Sequence, residues 1–287
     1  MRLGVISDGI SRDVRAAAET AKSAGLTDIE YQYLWEYEVG DLPLARRREV
    51  RAITADNGLR VSCLSRHIFA RQPVQVEADS HEYREQMNAL ARCIEFAHEL
   101  GTDIVRMMSC RRETILFGGG GAEHWVVANH AWGKLQALME APLELAAREN
   151  VKLVIETGNG TMVNSAYTMS KLIDDLGARG RLFALWDPCN TLYCGEPPTP
   201  DGLNFLADGK IGHVHIKDAV VEPARASVTF CKLGEGHMAP HLQAIADGLR
   251  EHNYAGSVSL ESTYRPPGGG FADGFHESMP LFARLYG

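Results

Sequence analysis

The sequence predicts an α/β protein, a single-domain (β/α)8 barrel of the TIM type. Three observations predict it: eight short β-branched runs spread over 287 residues, amphipathic stretches of helical spacing between them, and glycine or asparagine stops before the next run. The first run, RLGVIS (2–7), leads into VRAAAETAKSAG (14–25), which closes at Gly25. TDIEY (27–31) is the second, followed by a periodic segment that carries Arg46, Arg47 and Arg48 and stops at Gly58. RVSCLS (60–65) is the third, and HEYREQMNALARCIEFAHELG (81–101) returns the chain to the fourth, DIVRMM (103–108). LQALMEAPLELAAREN (135–150) ends at Asn150, directly before VKLVIE (151–156), and a further stop at Gly177 precedes LFALWD (182–187). KIGHVHIKD (210–218) and SVSLE (257–261) complete the set. Glycine and asparagine take the left-handed conformation that terminates a helix, so their placement is part of the pattern.

The alternative, a doubly wound open sheet, wants GxGxxG after its first strand, and here that turn reads Ser7, Asp8, Gly9, Ile10, Ser11. No linker divides the chain. The glycine-rich pieces FGGGGAEH (117–124) and PPGGGFADG (266–274) each follow a strand, where barrel loops belong, so one domain is expected over 1–287.

Composition narrows the function. Lys and Arg number 29 against 37 Asp and Glu, a formal charge of −8, and no basic stripe offsets it, which disfavours nucleic acid as a partner. The triplet Arg46–Arg48 reads as a solvated helix face. MRLGVISDG meets Asp8 too early for a secretory segment or a membrane span of about 20 residues, so a cytoplasmic protein is expected. Six cysteines without a CxxC pair are expected to be reduced thiols. The expected partner is a small molecule. Outer helices of such barrels often mediate homo-oligomers, but no face here is distinctive enough to name an interface.

In a parallel barrel, chemistry sits at the carboxyl ends of the strands. The last four runs end in Glu156, Asp187, His215 and Glu261, and the inward parity of each run (Val154 with Glu156, Leu185 with Asp187, His213 with His215, Ser259 with Glu261) aims them at one axis. Any one alone is most simply a polar residue at a strand boundary. Together, three carboxylates shielded from water repel one another by several kcal/mol or force protonation, and a divalent cation removes that cost. Three oxygens and one nitrogen suit a hard or borderline ion: Mn²⁺ first, with Mg²⁺, Co²⁺ or Zn²⁺ compatible.

VIETGNG, WDPCN, HVHIKD and SLEST, in that order, resemble the metal-binding strand ends of the xylose isomerase-like barrels, a superfamily of sugar isomerases, epimerases and inosose dehydratases. The resemblance extends to GVISDGIS, GLTDIE and KLGEGHMAPHLQAI and so covers nearly the whole chain. It implies that Glu156, Asp187, His215 and Glu261 are metal ligands, and that the two glutamates form the acid/base pair of the epimerase members. Sugar epimerases carry an arginine six positions after the ligand histidine. Here that residue is Val221, and HIKD is closer to the inosose dehydratases.

The expected activity is a divalent-metal-dependent isomerisation or epimerisation of a keto-sugar or related polyhydroxy substrate through an enediolate, with Glu156 and Glu261 exchanging protons. A metal-dependent lyase acting on a 3-oxo sugar or inosose is the alternative. An abasic-site endonuclease would need more histidines, one of them where Asn190 stands, and a basic surface. A non-catalytic sugar-binding barrel is a fourth reading.

Four further residues are expected to face substrate: His67 after the third run, Arg106 in the fourth, Asn190 three residues after Asp187, and Lys217 one inward step beyond His215. For Lys217 an ion pair with a neighbouring carboxylate is an equal expectation, for Asn190 a turn role, for His67 simple exposure. His213, one step deeper than His215, is expected to be a hydrogen-bonded core histidine. The glycines of FGGGG and TYRPPGGGF permit a mobile cover, and Trp35 suits either a sugar-facing wall or packing. Arg111, Arg112 and Arg265 flank these loops and suit a carboxylate or phosphate on the substrate, although loop charges are usually solvated.

Overall fold

The computed structural model describes residues 1–112 and 130–287. The FGGGG expectation therefore lies outside the described residues. Eight strands form one sheet: β1 Arg2–Val5, β2 Asp28–Tyr31, β3 Arg60–Ser65, β4 Ile104–Met107, β5 Lys152–Glu156, β6 Leu182–Trp186, β7 Ile211–Ile216 and β8 Ser257–Leu260. Every neighbouring pair is parallel, in the order β1-β8-β7-β6-β5-β4-β3-β2. A parallel bridge from Ile6 to Glu30 brings β1 against β2 and closes the ring. The protein is a (β/α)8 barrel, as the alternation of runs and periodic stretches predicts.

Each strand points alternate residues to opposite sides. Leu153 and Ile155 of β5 join the large core between sheet and helices, whereas Val154 packs with Cys63 and Leu185 in a small separate cluster inside the ring. The outer layer includes helices Val14–Ser23, Leu44–Asp56, His81–Leu100, Ala131–Arg148, Ala166–Asp175, Leu242–Glu251 and Phe271–Tyr286. Their starts follow from capping: the Asp13 carboxylate accepts from the Ala16 amide at 2.9 Å and the Ser80 hydroxyl from the Tyr83 amide at 3.1 Å. Their stops are the predicted ones, with Gly101 at φ 72° and Asn150 at φ 54°.

Two additions are absent from the sequence reading. A short hairpin, Tyr33–Leu34 with Tyr37–Glu38, follows β2, and a longer one, Asp218–Glu222 with Ser227–Cys231, follows β7. KIGHVHIKD is thus not one strand, because Asp218 already belongs to the hairpin. Its carboxylate accepts the amides of Ala219 (2.8 Å), Gly234 (2.9 Å), Gly236 (3.0 Å) and Met238 (2.9 Å), which turns the chain away from the ring and ties down the KLGEGHM segment. Position 236 must be glycine, since a Cβ would lie 2.4 Å from Asp218 Oδ1 and 2.7 Å from the Ala219 carbonyl oxygen.

Candidate metal centre at the barrel mouth

The strand ends bring Glu156, Asp187, His215 and Glu261 together, with one ligand atom from each within 4.8 Å of the others. His215 Nδ1 lies 3.8 Å from Glu156 Oε1 and 3.5 Å from Glu261 Oε2. His215 and Asp187 are wholly buried, and Glu156 nearly so. Glu261, with 22 % of its side chain exposed, opens onto a cavity of about 360 Å³ lined also by Asp8, Arg12, Gln32, Tyr33 and Phe271.

Each carboxylate is gripped from outside the set. Arg106 donates through Nη1 to Glu156 Oε2 at 2.6 Å, and Asn190 through Nδ2 to Glu156 Oε1 at 3.2 Å. Asp187 Oδ1 accepts the amides of Cys189 (3.0 Å) and Asn190 (3.1 Å), capping the helical turn Pro188–Thr191. Lys217 Nζ bridges Asp187 Oδ2 at 2.5 Å and Glu261 Oε2 at 2.7 Å. Thus Lys217 forms the ion pair that was its second expectation, while Arg106, 2 % exposed, is committed to Glu156 and to the Ser65 carbonyl (3.2 Å).

Sequence reasoning missed Glu30. This carboxylate, buried in β2, accepts from His215 Nε2 at 2.9 Å (Oε1) and 3.1 Å (Oε2), from His213 Nε2 at 2.7 Å, and from the Ser65 hydroxyl. His213 is the hydrogen-bonded core histidine expected, with the Ser259 hydroxyl 3.1 Å away as a second neighbour of Nε2. Glu30, His213 and His215 also meet as a compact trio, in which both imidazoles reach the one carboxylate at hydrogen-bond distance.

The charges are under strain. Burial first, then the charges on Glu261 and Glu156, push the Asp187 carboxyl up to about 7 against the pull of Lys217. Burial also opposes ionisation of Glu261, but Lys217 and His215 outweigh it and hold this carboxyl well below the usual range. Burial opposes the charge on His215, but the carboxylates of Glu30 and Glu261 outweigh it and push this imidazole up to about 10, so an ion at Nδ1 would take the place of a proton. Crowding of this kind is what a divalent ion relieves. The donor set fits one: His215 Nδ1 is buried without a hydrogen-bond partner, its other nitrogen is held by a carboxylate, and the nearby carboxylate oxygens offer further lone pairs.

The remaining candidates lie apart from this cluster. His67 Nδ1 is 3.0 Å from Glu38 Oε1, and its ring stacks on Tyr33 with centroids 5.9 Å apart, in a neighbouring cavity with Arg66, Arg71 and Gln86. Trp35 packs under Arg46 at 4.5 Å, and Arg265 stacks on Phe271 at 4.6 Å. Among the described residues no helix is long and apolar enough to cross a membrane.

The sequence model of the family described as xylose isomerase-like TIM barrel matches residues 18–280. No curated protein matches the chain. Among solved structures, D-allulose 3-epimerase from Methylomonas sp. superposes with a TM-score of 0.74 at 15 % identity, covering 99 % of this chain and 98 % of that one. L-ribulose 3-epimerase gives 0.71 at 19 % identity (99 % and 94 %), and 3-keto-D-glucoside 4-epimerase from E. coli gives 0.70 at 17 % (99 % and 98 %).

Proposed function

Because the chain belongs to the xylose isomerase-like TIM barrel family, we propose that it is a divalent-metal-dependent isomerase or epimerase of a keto-sugar or related polyhydroxy substrate, using Glu156 and Glu261 as its acid/base pair. The observation that carries this reading is the placement of two glutamates, from β5 and from the end of β8, within 3.8 Å of His215 Nδ1, which has no hydrogen-bond partner. Glu156, Asp187, His215 and Glu261 would hold the ion, with Mn²⁺ the first to test on the hardness of the donor set. When bound, the ion would stabilise the negative charge that develops as an enediolate forms. One glutamate removes the proton α to the carbonyl, and the other returns a proton to the same or the adjacent carbon. Arg106 and Asn190 keep Glu156 in place, and Lys217 keeps Glu261 ionised and close to Asp187. The three structural neighbours named above are sugar epimerases by name, which supports the reaction class.

The test is solvent exchange of the α proton, followed by NMR in D₂O across a panel of keto-sugars. Glu156→Gln and Glu261→Gln are each expected to lower the exchange rate by about 10²–10⁴-fold, the usual worth of a placed acid or base. Normal exchange in both variants overturns the assignment. Chelation should abolish exchange and Mn²⁺ restore it.

Lys217 favours a second reading. An ammonium bridging Asp187 and Glu261 is placed to protonate a departing hydroxyl, and Val221 stands where the resembled sugar epimerases carry arginine. On a 3-oxo sugar or an inosose, a lyase would release a product lighter by one water, whereas an epimerase releases an isobaric one.

A further inference from the structure

The four ligand candidates all come from β5 to β8, yet what holds two of them comes from the opposite half of the ring. Glu30 (β2), Ser65 (β3) and Arg106 (β4) form a connected group: the Ser65 hydroxyl donates to Glu30, the Ser65 carbonyl accepts from Arg106 at 3.2 Å, and Arg106 holds Glu156 at 2.6 Å. Glu30 faces His215. A carboxylate can only accept, so the short contacts at Nε2 place a hydrogen on that nitrogen. The two ring nitrogens are rigidly related, and an imidazole held at Nε2 has no freedom left at Nδ1. That nitrogen is the one 3.8 Å from Glu156 Oε1 and 3.5 Å from Glu261 Oε2, without a hydrogen-bond partner.

We propose that Glu30 is the positioning residue of the metal centre: it fixes the rotation and tautomer of His215 so that Nδ1 is presented as a ligand, and thereby sets the affinity for the ion. The inference rests on the metal-centre reading above. The contact with His213 serves the same end. That ring lies edge-on to His215, with centroids 5.4 Å apart and planes at 85°, and shares the carboxylate, so Glu30 cannot turn away from His215 without also giving up its 2.7 Å bond to His213. Glutamine in its place would keep the volume but offer one accepting oxygen and an amide NH₂ turned toward the imidazole N–H groups.

Zinc and manganese affinities of the full chain, measured by competition with a chromophoric chelator, test this. Glu30→Gln is expected to bind each ion about 10–100-fold more weakly, the usual worth of a carboxylate behind a ligating histidine. In the zinc-loaded wild type the Nε2–H proton of His215 should appear as a slowly exchanging downfield NMR signal that Glu30→Gln loses. Should that variant fail to fold, Ser65→Ala, which removes the hydroxyl bond to Glu30 and a weak 3.4 Å contact with Cys63 Sγ, should weaken binding several-fold. Wild-type affinity in a folded Glu30→Gln protein, or two ions per wild-type chain with Glu30 ligating the second, overturns the inference and leaves the mouth centre standing. A wild type that binds no ion overturns both.

Discussion

Asp28 and Glu30 sit two residues apart on β2, both wholly shielded from water, and they are satisfied in opposite ways. At the floor of the barrel Asp28 accepts from Ser257 Oγ (2.5 Å), Arg60 Nη2 (2.7 Å), Arg2 Nε (3.0 Å) and Thr27 Oγ1 (3.0 Å). Its arginine partners are 40 % and 59 % exposed, so their remaining donors reach water and the network ends there. Glu30 is held by two imidazoles that are themselves buried, and an imidazole has a second nitrogen to hand the constraint on. Donor chemistry, more than burial, separates a carboxylate that clamps three strands from one that arranges a site.

The contrast can be broken experimentally. The largest effect is expected at the mouth, where Glu156→Gln should cut α-proton exchange by the factor given above while leaving the urea midpoint near the wild-type value. A collapse of stability instead would mean that the mouth, too, is a structural clamp. Next is the crossed pair: Glu30→Gln should weaken metal binding, and Asp28→Asn should leave the chelator-competition curve unchanged. Asp28→Asn should in turn lower the unfolding free energy by about 1–3 kcal/mol, the range for disturbing a buried hydrogen-bonded group, read by urea denaturation near neutral pH. The smallest effect sharpens the comparison through pH. Burial opposes ionisation of Asp28, but the hydrogen bonds from Ser257, Arg2, Arg60 and Thr27 win and hold its pKa below the ordinary aspartate value of about 3.9. The stability it contributes is therefore complete above that value and is lost as the pH falls through the folded pKa. The urea-midpoint gap between wild type and Asp28→Asn should close in acid. A gap that widens there would reverse the sign of the argument.

The ring and the convergence of the four strand-end side chains were legible because their signals are local. VKLVIE shows in six residues both its period of two and the inward parity of Glu156, and Asn150 before it marks the end of a helix with no knowledge of the rest of the chain. Glu30 was hidden for the opposite reason. In TDIEY it is one of two carboxylates on a short strand, and its meaning lies in partners 183 and 185 residues away on β7. Its parity, shared with Asp28 and opposite to Ile29 and Tyr31, was the signal available. The pairing of Arg106 with Glu156 was not legible, because a strand position near the mouth does not reveal which side chain lies 2.6 Å away. The hairpin after β7 was hidden because HVHIKD runs on in strand-like alternation, and the turn at Asp218 depends on amides up to 20 residues downstream.

The bridge between Ile6 and Glu30 closes the cylinder with the backbone of the same residue whose side chain secures His215. Fraying at that seam and loosening of the imidazole are then one fluctuation seen from two sides. By thermodynamic reciprocity, if the mouth holds an ion as proposed, whatever tightens its hold also zips the seam, so loading it should slow amide hydrogen exchange along β2, which supplies none of the four ligand candidates.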